Sequence, residues 1–172
     1  MNYIIKSGSL SEERSGEILA RIKSTLTGPV RNITCADSEY HTDIRRLNPP
    51  ERSSDVRFRE YILADQGNTR MLGRPGYAAG EDSLTAGWPV CRLPRVDHAR
   101  ITIGKEDYEL TMHNTQSYSM RNQTGCVILQ ILHRGLTGGW QLRDDHGFAP
   151  EILCGIFAFC RYIEQENEWL IV

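Results

Sequence analysis

Arg57 and Arg59 stand two residues apart in the stretch Asp55-Val56-Arg57-Phe58-Arg59-Glu60. On an extended strand, residues i and i+2 project from one face, so two guanidinium groups at this spacing can hold a phosphate between them. The same pattern also describes a solvated outer face balanced by Asp55 and Glu60. A second basic group, Arg92, Arg95 and Arg100, follows a Gly/Pro-rich stretch and offers another anion site, or simply a soluble loop. These five arginines are the candidate ligand-binding residues of the chain.

Other chemistry finds little support. The five histidines, His41, His98, His113, His133 and His146, are scattered, whereas a structural zinc site takes four ligands in close pairs. Asp144-Asp145-His146 could set a base beside an acidic orienter, but acidic residues leading into a helix are favoured by its dipole in any case. There is no GxSxG elbow, no CxxC pair, no phosphate-binding glycine loop and no dinucleotide fingerprint. No catalytic residue, metal or cofactor is therefore assigned.

With 172 residues, 24% charged and 40% hydrophobic, the chain is read as one soluble domain. A net charge of −2 supplies no bulk attraction to nucleic acid, and no aromatic RNA-binding sheet motif is present. Five cysteines, an odd count at irregular spacing, together with no secretory pattern at Met1–Ser7, point to a reducing, cytoplasmic setting.

The elements that must position these residues follow from periodicity. Ile152-Leu153-Cys154-Gly155-Ile156-Phe157-Ala158-Phe159-Cys160 is uncharged throughout, and nine residues are about half of what a bilayer-spanning helix needs. Pro150 suits the first helical position and Glu151 the positive end of the dipole. A helix apolar on every side belongs inside something that surrounds it.

The rest of the chain reads as short strands with turns between them. Tyr108, Leu110 and Met112 alternate with Glu109, Thr111 and His113. Val56–Ala64 reads as a strand paired through Asp65–Asn68 with Thr69–Leu72, and Cys126–Leu132 as a strand apolar on nearly both faces. Residues 9–22 fit either a helix or strands, with strands preferred. Residues 73–94 read mostly as loop. Hairpins followed by one greasy helix predict a mainly β protein, an antiparallel sheet curled around the helix. The helix then fills the middle, and any site is left to the outer strands and loops.

The hairpins from Ala99 to Arg143, the helix Pro150–Glu164 and the apolar tail Trp169–Val172 together resemble the tubby C-terminal-like superfamily. The nearer arm is that of LURP-one-related proteins and phospholipid scramblases. The resemblance implies a closed barrel of about twelve antiparallel strands around a central C-terminal helix, and a binding module in place of an enzyme. It also implies a membrane-lipid head group, or a protein partner, held at the outer surface. The Gly/Pro-rich stretch 73–94 and the scarcity of lysine depart from the tubby phosphoinositide pattern. Two alternatives stand beside this reading. One is a small enzyme using His98, Asp144 or His146; the other is an assembly role in which Trp88 and Trp169 form an apolar patch.

Overall fold

Pro150 opens the long helix as its sequence position predicts: Ala149 precedes it, and the Ala149 carbonyl accepts from the N–H groups of Ile152 (3.0 Å) and Leu153 (3.1 Å). In the computed structural model, which describes residues 1–25, 28–36, 38–48, 55–80 and 95–168, this helix runs Pro150–Glu168. It is labelled α2; a single turn, α1, spans Gly135–Gly138.

Twelve strands precede or flank these helices. They are β1 (Asn2–Lys6), β2 (Ser9–Glu12), β3 (Ile18–Ser24), β4 (Arg31–Cys35), β5 (Ser38–Arg46) and β6 (Arg59–Asp65). Then come β7 (Asn68–Tyr77), β8 (Val96–Ile103), β9 (Glu106–Asn114), β10 (Ser117–Arg121), β11 (Val127–His133) and β12 (Trp140–Asp144). Each pairs antiparallel with its neighbours in the chain, and β1 pairs with β12 to close the barrel, Tyr3 opposite Leu142. Closure leaves no unpaired sheet edge around the ring.

The expected architecture is present: a closed, twelve-stranded antiparallel barrel with the C-terminal helix in its middle. Every residue from Ile152 to Cys160 is buried. Alternate strand residues meet the helix, among them Leu10, Ile33, Leu63, Met71, Ile101, Leu110, Met120 and Leu129, each at most 1% exposed. Two glycines let helix and wall approach. A Cβ on Gly155 would lie 2.7 Å from Met71 Cε and 2.9 Å from Leu63 Cδ2, and one on Gly73 would lie 2.9 Å from the Phe159 ring.

Several local expectations need correction. Residues 9–24 form two strands, so the strand reading of the ambiguous segment holds. Val56–Phe58, however, is a 3-10 turn, and β6 starts only at Arg59. Asp55 causes this: its carboxylate accepts the Arg57 N–H at 2.9 Å and caps the turn.

The stretch from Gly73 is strand as far as Tyr77, registered on β8 with Pro75 opposite Ala99. Pairing with β6 stops at Gly73, so Pro75, which has no N–H to give, sits where β7 has a partner on one side only. Residues 81–94 lie outside the described residues. Lastly, β11 is covered on one face, with Leu132 46% exposed, because a barrel wall one sheet thick buries only its inner side.

Candidate functional site

The outward residues of β5 to β10 form a row of charges fixed by the sheet register. Arg45 stands opposite Glu60, Arg74 opposite Arg100, Arg100 opposite Glu109, and Glu109 opposite Arg121. Glu60 links the first two pairs: it is ion-paired with Arg45 and lies 3.3 Å from Arg74 Nε, and it is only 2% exposed between them. The row holds four guanidinium groups and two carboxylates, and two of the cations, Arg74 and Arg100, face each other directly.

Like charges opposite one another on a sheet are unfavourable. Both side chains stay in water, 67% and 74% exposed, which screens the repulsion. Asp107 comes no nearer to Arg100 than 4.0 Å. His98 borders the pair. It lies opposite Gly76, its ring covers the space that a Gly76 Cβ would fill, and its Nδ1 is 2.7 Å from Asp97 Oδ1. An oxyanion placed between Arg74 and Arg100 would take charge-assisted N–H bonds from both and remove their mutual repulsion.

Of the five arginines singled out in the sequence, Arg100 belongs to this row. Arg57 and Arg59 do not share a strand face. The Arg57 guanidinium grips Asp55 through Nε (3.1 and 2.9 Å) and one terminal nitrogen (2.6 Å), and lies over the Tyr77 ring. That grip, with the Tyr77 hydroxyl also donating to Asp55, holds the Asp55 carboxyl below its ordinary pKa. Arg59 is ion-paired with Glu166 of α2. Arg95 precedes β8, where its carbonyl accepts from Ala78 N–H at 2.7 Å. Arg92 lies outside the described residues, as do Trp88 and Trp169. Arg74 escaped the sequence reading because it sits in Gly-Arg-Pro-Gly, which looks like loop; only the β7–β8 register brings it to Arg100.

The acid–base candidates do not assemble. His98 stands near the mouth where α2 ends, close in sequence to Val96, whose backbone is bonded by Asn167. Asp144 and His146 lie at the other mouth, where α2 begins. There the Asp144 carboxylate accepts from the backbone N–H groups of His146 (3.0 Å), Gly147 (3.0 Å) and Phe148 (2.8 Å), shaping the turn into the helix. Among the described residues, no group of three His, Cys, Asp or Glu side chains is placed to hold a metal ion, and no helix is long and apolar enough to cross a membrane. No family model matches the sequence, and searches of curated proteins and of solved structures return no match either.

Proposed function

We propose that this chain is a recognition module that holds an anionic group on the outer wall of its barrel, with a membrane-lipid head group as the source of the anion. The observation that carries the reading is the exposed Arg74–Arg100 pair, set face to face by register within a row of net positive charge. The helix supports it by filling the centre of the barrel, which leaves ligands to the outer wall and the mouths. The barrel-around-helix plan likewise supports kinship with the tubby C-terminal-like proteins, which we keep as part of the proposal. In this reading the protein works by binding, without turnover, at a cytoplasmic membrane face.

Sedimentation with vesicles tests it. Vesicles containing phosphatidylserine or a phosphoinositide carry the protein down, neutral phosphatidylcholine vesicles do not, and binding weakens as salt is raised. The double variant Arg74→Gln/Arg100→Gln abolishes the effect while keeping the unfolding midpoint, since both side chains are exposed. Failure to bind every anionic vesicle removes the lipid version and leaves a protein partner, to which the same double variant applies.

A further inference from the structure

The β1–β2 connection contains only Ser7 and Gly8, both with positive φ (50° and 74°), the two-residue turn whose twist suits a hairpin. A Cβ on Gly8 would come within 2.6 Å of the Ile22 carbonyl oxygen, so the turn is kept bare. The neighbouring connection at this mouth, residues 134–139 between β11 and β12, is longer. The low rim opens a recess of about 350 Å³ between the helix and the wall, within the size range of small-molecule sites.

Carbon lines its depth, from Phe157, Ile5 and Ile22, and Trp140 forms one side. The Trp140 ring is held by Phe157 (5.5 Å between centroids) and by His133 (4.9 Å). Lys6 and Arg31 bring positive charge to the same space.

Arg31 is only partly satisfied. It has no carboxylate within ion-pairing distance among the described residues, and its Nε is buried without a hydrogen-bond partner. Its guanidinium carbon lies 5.6 Å from the Tyr162 ring centroid. Burial lowers its pKa and Arg161 adds to that, while Tyr162, which also hydrogen-bonds the guanidinium, and the more distant Glu164 oppose it. Arg161 is itself engaged, ion-paired with Glu164 and lying over the far partner of the recess, the Trp140 ring, at 5.8 Å. A buried, unpaired guanidinium N–H beside an open apolar recess is an unmet demand for an acceptor.

We propose that this recess binds a small amphiphilic anion, a phosphate monoester or carboxylate on a ring-sized apolar body, with Arg31 and Lys6 on the charge and Trp140 and Phe157 on the body. The site is separate from the outer-wall arginine pair and does not depend on it. The wall offers charge alone, whereas the recess selects for an apolar body attached to the charge.

The full chain titrated with phenyl phosphate tests this by amide and indole NMR. Saturable shifts are expected at the Gly8 amide and at the Trp140 indole, the latter identified by its loss in Trp140→Phe. Inorganic phosphate binds at least about tenfold more weakly, having no body to bury. Arg31→Gln weakens phenyl phosphate about tenfold through loss of charge-assisted bonds. Lys6→Gln, at an exposed position that leaves the core untouched, weakens it by a smaller factor of about three. Arg74→Gln/Arg100→Gln leaves it unchanged, so this test and the vesicle test fail or succeed separately. Competition by phosphatidate vesicles assigns the ligand to lipid, and its absence to a free compound; either result supports the site. The proposal is overturned if neither probe shifts at millimolar phenyl phosphate, if inorganic phosphate matches it, or if both single variants bind as the unaltered chain does.

Discussion

The two halves of α2 hold it in place by different means. From Ile152 to Cys160 the helix meets the wall through carbon and sulfur, with Phe159 packed on Tyr61 and over Gly73. From Arg161 onward it is tied by polar bonds to separate parts of the ring. The Tyr162 hydroxyl donates to the Pro29 carbonyl (2.6 Å) and meets Thr42 of β5 (2.7 Å). Glu164 accepts from Tyr118 of β10, and Glu166 pairs with Arg59 of β6. Asn167 clasps the backbone of Val96 at the start of β8, at 3.0 and 2.8 Å. Apolar burial is strong but tolerates rotation and sliding, whereas hydrogen bonds demand distance and angle. The first half therefore supplies the drive to insert, and the second fixes how deep the helix sits and which face it turns to each strand.

The largest effect should come from the apolar half. Phe159→Ala lowers unfolding free energy by about 3–5 kcal/mol in a urea titration, through lost burial and the cavity left behind. Gly73→Ala alone costs about 1–3 kcal/mol by crowding the Phe159 ring. Combined with Phe159→Ala its cost should shrink to what the 3.2 Å approach to Ile101 Cδ1 imposes, and strict additivity would refute the Phe159 contact.

The polar half gives a smaller effect with a pH signature. Tyr118→Phe costs about 1–3 kcal/mol near neutrality, because buried Glu164 loses its phenol donor. Burial, and then the bond to Glu164, raise the Tyr118 phenol pKa from its ordinary 10.0. A group whose folded pKa is raised gives its full stabilisation below the unfolded value and loses it as pH climbs from there toward the folded value. Stability of the unaltered chain should thus fall above pH 10, and Tyr118→Phe should fall less steeply. Parallel slopes would show that the latch does not titrate as described.

A third measurement changes no stability at all. Cys154 and Cys160 are buried, and burial pushes both thiols above their ordinary pKa. A maleimide should label exposed Cys126 at once and leave these two until the barrel opens. Equal rates at Cys154 and Cys160 mean the helix leaves as a unit; faster labelling of Cys154 means the half without polar ties frays first.

The apolar half of the helix and the β9 alternation were legible because each has a single environment: Ile152 to Cys160 meet only carbon and sulfur, and only the inner face of a wall strand is dry. Tyr108, Leu110 and Met112 accordingly all point inward. The end of β7 was not legible, since Gly73 and Pro75 read as loop residues until Phe159 and the one-sided pairing explain them. Arg57 misled because Asp55, two residues away, captures both its backbone and its side chain and bends the chain out of the strand. The Arg74–Arg100 pair and the Arg31 recess depend on which strands lie side by side and on how long each hairpin is. That information belongs to the closed ring and to no local window of sequence.

The seam between β1 and β12 carries a consequence for biosynthesis. Asn2 to Ile5 must wait for Trp140 to Arg143 before they gain their second neighbour, and the rod that fills the ring is translated later still. Hairpins can form as the ribosome proceeds, but until the plug arrives each strand shows its oily side to water. Maturation is consequently a single late event with distant parts of the chain meeting, on the millisecond-to-second scale typical of such topologies. During synthesis this protein is a natural client for whatever shields nascent sheets.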